Sequence, residues 1–234
     1  MGKMTVLFED EFESGNFLAW DGTTSRPLAE IGVVTNPVFK GLYSSRNRCF
    51  PGDSPYAMCY YSLIPFAIYS PLYYRNYIQF NRLPSTVGEE FAFIDIYRTD
   101  NQDMLAAGLS FQGGLPQWWL RYRDGAGFTS IYSPTPTPIP NNWYCIEIMN
   151  IIHAVNGEAH LWVGTPGGGE SEILSAIGIN SASAVNSRVG SGIFYHAGAD
   201  TTIYVDCCVA ADARIGPEVG LGRLPQYQNV HAGL

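Results

Sequence analysis

Aromatic, arginine and acidic side chains alternate with apolar ones along several segments of this 234-residue chain. Successive side chains of a β-strand point to opposite faces, so each segment can be sorted into two sets. In residues 72–80, 89–98, 118–123 and 159–163 one set is apolar and the other is rich in Tyr, Trp and Arg. If the four strands share one sheet, its outer face suits sugars, because rings stack on pyranose faces and charged groups bond to hydroxyls.

The candidate ligand-binding residues of this face are Tyr73, Arg75, Tyr77, Asp95, Tyr97, Trp119, Arg121, Arg123 and Trp162, with Glu147 added from residues 143–152. In residues 89–98 the sorting places Ala92, Ile94 and Ile96 on the apolar side and Phe91 and Phe93 on the outer face. Aromatic residues and arginines also anchor protein–protein interfaces. A glycan-binding surface and a subunit interface are therefore both open interpretations.

The elements that position these residues are predicted to be strands. No window of eleven or more residues keeps a helical apolar period with caps at both ends, whereas β-branched and aromatic runs recur between Gly, Pro, Asn and Asp clusters. The predicted strands lie near 4–12, 29–36, 42–50, 56–63, 72–82, 89–98, 104–111, 117–123, 128–132, 143–152, 158–163, 172–177, 188–196 and 201–211. This pattern predicts an all-β fold, a two-sheet antiparallel β-sandwich of the jelly-roll type.

The predicted domain organisation is one β-sandwich over residues 1–215 followed by a Gly-rich tail or arm over 216–234. The Pro-rich piece from Ser133 to Pro140 is short and leads directly into the next strand, so it is interpreted as a loop within the domain. The tail either lacks fixed structure or extends onto a neighbouring subunit.

Composition excludes several classes of function. The chain has 13 basic and 21 acidic residues and a net charge of −8, which is the wrong sign for a general nucleic-acid binder. No apolar run is long enough for a membrane-spanning helix, so membrane insertion is not expected. Residues 1–6 lack an apolar signal region. We expect an extracellular or particle-surface protein, either with its export signal removed or made in the cytosol as part of a virus particle.

Five cysteines lack the paired spacing and nearby histidines of a zinc site. Cys49 and Cys59 flank a Pro-Gly-containing turn, and opposite positions in a hairpin would make them the best disulfide candidate. Five buried thiols are the equal alternative, since cysteine is a common core residue.

An ordered set of short motifs carries a family resemblance. Phe12-Glu13-Ser14-Gly15-Asn16-Phe17 precedes Trp20, Gly41-Leu42-Tyr43-Ser44 opens a strand, and Ile203-Tyr204-Val205-Asp206 lies near the end. Together they resemble the concanavalin A-like lectin and glucanase superfamily and related jelly-roll carbohydrate-binding modules, over roughly residues 7–210. Fold by itself does not give function.

The resemblance implies one structural calcium ion. In such modules an acidic residue of the opening strand and an aspartate of the closing strand often meet at calcium, which takes six to eight oxygen ligands. The corresponding positions are Glu13 and Asp206, with Asp10 or Glu11 as a further ligand. The alternative is that the acidic residues near the start form a solvated strand edge.

Catalysis is not the leading expectation. Glucanases of this superfamily carry Glu-x-Asp-x-x-Glu on one strand face, and this spacing is absent around Asp95. The four histidines are too scattered in sequence to nominate a triad. The sequence therefore predicts a lectin-like domain that binds polysaccharides or other glycans at a cell or particle surface. The alternatives are a self-assembling subunit of a homo-oligomer, filament, sheath or virion, and a polysaccharide lyase or glycoside hydrolase.

Overall fold

A computed structural model describes residues 4–52, 55–63, 70–98, 102–165, 168–181 and 185–218. These residues form fifteen strands and no helix. The strands are β1 (Val6–Asp10), β2 (Gly22–Ser25), β3 (Ala29–Val34), β4 (Ser44–Cys49), β5 (Ala57–Ser62), β6 (Leu72–Phe80), β7 (Glu90–Arg98), β8 (Asp103–Gln112), β9 (Leu115–Asp124), β10 (Gly127–Ser133), β11 (Trp143–Ile151), β12 (Gly157–Gly164), β13 (Glu170–Ile179), β14 (Asn186–Ala197) and β15 (Thr201–Ala211).

The strands form two antiparallel sheets that pack face to face. The eight-stranded sheet has the order β13-β12-β11-β6-β15-β4-β3, with β1 paired to β15 as well. The seven-stranded sheet has the order β10-β9-β8-β7-β14-β5-β2. The predicted all-β sandwich is confirmed. Strand β2 was not predicted, because its four residues, Gly-Thr-Thr-Ser, carry no apolar alternation.

The core lies between the two sheets and is built largely of aromatic rings. Phe80 stacks on Tyr144 with ring centroids 5.5 Å apart, and Trp118 meets Tyr144 edge-on at 5.2 Å. Near the centre, the Tyr74 hydroxyl bonds to Ser191 Oγ, which satisfies a polar group that burial would otherwise penalise. The inner faces of both sheets are therefore fully used for packing.

A β-bulge in β7 changes which of its residues face the core. The pairing of β7 with β8 shifts between Ala92 and Ile94, and Phe91 and Phe93 join the main core cluster. Ala92 instead packs in a separate cluster on the outer face. The expectation that Phe91 and Phe93 face outward was therefore wrong, because strict period-two sorting does not allow for an extra residue in a strand.

The expectation of one shared sheet was also wrong. Strands β6 and β12 belong to the eight-stranded sheet, whereas β7 and β9 belong to the seven-stranded sheet. The chain passes from one sheet to the other between β6 and β7, so strands that are neighbours in sequence do not pair here. The ten candidate ligand-binding residues are consequently divided between two opposite outer faces.

The cysteines are five free, buried thiols. Cys49 lies on β4 of the eight-stranded sheet and Cys59 on β5 of the seven-stranded sheet, so the two do not face each other across a hairpin. The proposed Cys49–Cys59 disulfide was wrong for this reason. Burial raises the pKa of the Cys59 thiol well above its ordinary value, which keeps it in the unreactive thiol form.

The tail predicted to begin at residue 216 starts within the described part of the chain. Residues 212–218 follow β15 and lie against the eight-stranded sheet, while 219–234 lie outside the described residues. Among the described residues, none lies in a helix long and apolar enough to cross a membrane.

Candidate functional site

The outer face of the eight-stranded sheet is covered by residues 212–218, which we call the C-terminal strap. Glu147 on β11 accepts hydrogen bonds from the backbone N–H groups of Ile215 and Gly216, at 3.0 and 2.8 Å. Arg75 on β6 donates to the Gly216 carbonyl and to the Glu218 carboxylate. The Tyr77 hydroxyl accepts the Glu218 N–H at 2.7 Å. The sheet thus binds the strap mainly through its backbone.

Arg214 of the strap completes this coverage. Its guanidinium lies 4.1 Å from the centre of the Trp162 ring and pairs with Glu147 and Glu170. Tyr73 lies beside Trp162, with ring centroids 6.2 Å apart. Five of the candidate residues, Tyr73, Arg75, Tyr77, Glu147 and Trp162, therefore lie together, but four of them are engaged by the strap.

Glu147 is fully buried under the strap. Burial raises the pKa of its carboxyl group, although the Ile215 N–H, Arg214 and the Gly216 N–H act in the opposite direction. Arg75 is 3% exposed. Such a face offers little surface to an external ligand while the strap is in place.

The outer face of the seven-stranded sheet has a floor of very small residues. Ala92 and Asp95 on β7 lie opposite Gly108 and Ala106 on β8, and Asp95 lies opposite Gly190 on β14. A Cβ atom at Gly190 would lie 2.8 Å from the Phe194 ring and 3.1 Å from the Tyr97 ring. Glycine at this position lets both rings lie close to the sheet.

Three arginines on this face each lie over an aromatic ring. Arg121 on β9 lies 4.8 Å from the Trp119 ring centre and 5.8 Å from that of Tyr195 on β14. Arg123 on β9 lies 5.4 Å from the ring centre of Phe128 on β10. Arg188 on β14 lies 4.4 Å from the ring centre of Tyr60 on β5. Stacking holds each guanidinium plane while leaving its N–H edge free to donate.

Asp95 lies at the centre of the floor with no exposed surface. Among the described residues, neither carboxylate oxygen has a hydrogen-bond partner, and the Trp119 Nε1–H group has no acceptor. Burial raises the pKa of Asp95 well above its ordinary value, and the neighbouring carboxyl group of Asp103 raises it further. The Asp95 carboxyl group is therefore harder to ionise than that of an ordinary aspartate.

The most exposed aromatic rings of this face lie on the edge strand β10. Phe128 and Tyr132 are 46% and 39% exposed, and their register partners on β9 are Arg123 and Trp119. The sequence pattern predicted a strand at 128–132, but Phe128 and Tyr132 were not among the candidate ligand-binding residues. The alternation of Phe128, Ser130 and Tyr132 was the signal available. We call the surface formed by Tyr60, Trp119, Arg121, Arg123, Phe128, Tyr132, Arg188 and Tyr195 the arginine–aromatic face.

The other five candidate residues, Asp95, Tyr97, Trp119, Arg121 and Arg123, all belong to this side of the molecule. Their accessibility differs. Trp119 is 1% exposed and packs with Ala92 and Ala106. Tyr97 donates its hydroxyl to Met58 Sδ. Trp119, Tyr97 and Asp95 thus form the base of the face, and the arginines with the β10 rings form its accessible layer.

The two residues proposed for calcium bind the same loop at different points. Asp206 is buried and accepts backbone N–H bonds from Phe39, Lys40 and Cys207. Glu13 accepts those of Leu42 and Tyr43. These donors take up lone pairs that a calcium ion would need. Calcium at this position stays a prediction.

The two additional acidic residues also have partners. Asp10 accepts the Phe12 N–H and the Trp20 indole N–H. Glu11 pairs with the Lys40 ammonium group, which pairs with Glu218 of the strap as well. A lysine therefore supplies positive charge next to the carboxylates that the resemblance assigns to a cation.

Comparison with known proteins places the fold. No protein-family model matches the chain, and a comparison with curated proteins found no match. The endo-β-1,4-glucuronan lyase of the fungus Trichoderma reesei superposes with a TM-score of 0.66 at 11% identity, covering 92% of this chain and 96% of the lyase. The cellulose-induced protein Cip1 gives 0.63 at 14% identity, covering 90% and 100%.

Botulinum neurotoxin binding domains are a third group of similar structures. That of serotype D/C gives a TM-score of 0.59 at 10% identity, covering 90% of this chain and 49% of the toxin chain. A DC binding domain in complex with SialylT gives 0.56 at 10% identity, covering 90% and 48%. The chain thus has the β-sandwich jelly-roll fold of these structures, and identities of 10–14% establish the fold alone.

Proposed function

We propose that this protein binds a glycan on the arginine–aromatic face, outside the cell or on a particle surface, without catalysing a reaction on it. The observation that carries the proposal is the pairing of exposed rings with stacked arginines on one sheet face. Phe128 and Tyr132 offer flat apolar surface to a sugar ring, and Arg121 and Arg123 beside them offer N–H donors to its oxygens. This combination is the usual chemistry of sugar recognition.

The fold neighbours are consistent with a carbohydrate ligand. One is a lyase named for a polysaccharide, and another is a binding domain described in complex with SialylT. Covering of the opposite sheet by the C-terminal strap makes the arginine–aromatic face the better candidate of the two.

Retention on a panel of immobilised polysaccharides and a glycan array tests the proposal. We expect the wild-type chain to bind at least one glycan, and Phe128→Ala with Tyr132→Ala to weaken that binding by about tenfold or more. Phe50→Ala is the matched control, since Phe50 also stacks under an arginine, Arg48, but follows β4 of the other sheet. Equal binding by the double variant and the control would overturn the proposal.

Catalysis is distinguished by incubation with uronate polymers and β-glucans. The proposal expects no new unsaturated or reducing ends. Glu89, six residues before Asp95 in sequence, is held by the N–H groups of Ser85, Thr86 and Ala199 and is not a free carboxylate. Release of product ends would replace the binding proposal with a lyase or hydrolase.

A further inference from the structure

Five arginines away from the arginine–aromatic face are matched with carboxylates, whereas Arg26 stacks on the Tyr56 ring. Ion pairs join Arg46 to Glu30, Arg48 to Asp200, Arg75 to Glu218, Arg82 to Glu89, and Arg214 to both Glu147 and Glu170. This is expected for a chain with more acidic than basic residues and a net charge of −8. An arginine of this face without a carboxylate partner therefore carries a positive charge that is available to an external anion.

Two arginines of the face have no carboxylate within ion-pair distance among the described residues. Arg123 stacks on Phe128 and donates to the neutral side-chain oxygen of Gln102. Arg188 stacks on Tyr60. Their positive charge is thus held in place by rings and is not neutralised by the described part of the protein.

Arg121, the third arginine of the face, already has a carboxylate partner that would compete with an external anion. Arg121 pairs with Glu90 at 3.3 Å, and both side chains are partly exposed. Asp95 lies beneath these arginines with no exposed surface, and burial and the neighbouring Asp103 carboxyl group raise its pKa. On an acidic protein, the two guanidinium groups without carboxylate partners, Arg123 and Arg188, are consequently the places on this face that attract anions.

The spacing of the unpaired arginines sets a minimum ligand size. Arg123 lies on β9 and Arg188 on β14, which are separated by β8 and β7. Three strand spacings amount to about 14 Å. A single sugar does not reach both guanidinium groups, whereas an oligosaccharide crossing the strands does.

We infer that the ligand of this face is an anionic oligosaccharide, whose carboxylate or sulfate groups are bound by Arg123 and Arg188 while Glu90 competes with it for Arg121. The inference rests on the proposed glycan-binding function and adds the charge of the ligand. Guanidinium groups bind carboxylate and sulfate oxygens with paired N–H donors, so both sources of charge fit the same residues.

Isothermal titration of the full chain with three probes separates the possibilities. The probes are an oligogalacturonate, the same oligosaccharide after reduction of its carboxyl groups, and a sulfated neutral oligosaccharide of similar length. We expect binding of one or both charged probes and at least about tenfold weaker binding of the reduced one. Preference for the carboxylated or for the sulfated probe identifies the source of the charge.

Variants assign the effect to residues. Arg123→Gln and Arg188→Gln should each weaken binding of the charged probe by about tenfold. Glu90→Gln should strengthen it several-fold by releasing Arg121. Arg46→Gln is the matched control, a partly exposed arginine on β4 of the other sheet. Unchanged thermal unfolding of each variant separates lost binding from lost folding.

Three outcomes would overturn the inference, and they are distinguishable. Equal affinity for the charged and reduced probes would contradict an anionic ligand and leave the glycan-binding proposal intact. If the protein bound only uncharged sugars on the glycan array, the anionic ligand would likewise be contradicted and the glycan-binding proposal kept. Failure of every probe and every array glycan would remove the proposed function together with the inference.

Discussion

Glu147 and Arg75 lie directly opposite each other on β11 and β6, and both side chains bind backbone groups of the C-terminal strap. The Glu147 carboxylate accepts hydrogen bonds from two N–H groups, and the Arg75 guanidinium donates to a carbonyl oxygen. A pair of opposite charges on one sheet face thus holds a peptide segment across the strands. This arrangement explains why aromatic and charged residues on the eight-stranded sheet are not free for a ligand.

Removal of the Glu147 carboxylate should release the strap. In Glu147→Ala we expect the amide hydrogens of Ile215 and Gly216 to exchange with solvent at least about tenfold faster, since both lose their acceptor. Hydrogen exchange read by NMR checks this directly. Glu172→Ala is the control, because Glu172 is on the same sheet and its side-chain partner in the described part of the chain is His160, not the strap. Unchanged exchange in Glu147→Ala would show that other contacts hold the strap.

Glu89 should make stability depend on pH. Burial alone would raise its pKa, but N–H bonds from Ser85 and Ala199 and the Arg82 guanidinium outweigh this and lower it to about 2. Because the folded-state pKa lies below the unfolded value, the stabilisation is complete above about pH 4.5 and is lost as the pH falls toward 2.

The matching variant is Glu89→Gln. We expect it to lower the free energy of unfolding by about 2–3 kcal/mol at pH 7, with the difference from wild type shrinking toward zero near pH 2. Urea unfolding at pH 7, 4.5 and 2.5 measures this trend. A difference that stays constant over this range would mean that Glu89 acts by packing and not by charge.

Asp95 should act with the opposite sign. Burial and Asp103 raise its folded-state pKa, so above the ordinary aspartate pKa the unfolded chain loses a proton that the folded chain keeps, and unfolding becomes easier as the pH rises. Asp95→Asn removes this cost, because an amide does not ionise. We expect an increase of about 1–3 kcal/mol in the free energy of unfolding at pH 8, absent at pH 3. A loss of stability at pH 8 would contradict the raised pKa of Asp95.

Trp119 should prove to be a structural residue. It is 1% exposed and packs on Ala92 and Ala106, so Trp119→Ala is expected to lower the free energy of unfolding by about 3–5 kcal/mol. Its register partner on β10, Tyr132, is 39% exposed, and Tyr132→Ala should change stability little. Chemical denaturation of both variants checks the contrast. Binding studies of this face therefore need the exposed rings and not Trp119.

Local patterns determined much of this protein. Absence of helical periodicity and recurrence of β-branched and aromatic runs were sufficient for an all-β sandwich, because strand preference and side-chain alternation are properties of neighbouring residues. The same alternation correctly separated Trp118, in the core, from Trp119, Arg121 and Arg123 on the outside.

Only the tertiary structure decided which strands are neighbours. Whether β6 and β7 share a sheet depends on a crossing between layers that no local pattern records, and this crossing divided the candidate residues between two faces. The bulge in β7 likewise gives the two ends of the strand different alternation phases. The pattern that correctly places Ile94 and Ile96 in the core therefore does not extend back to Phe91 and Phe93. The strap that covers Glu147 and the arginines left without carboxylates arise from contacts between residues far apart in sequence, which exist only once both sheets have formed.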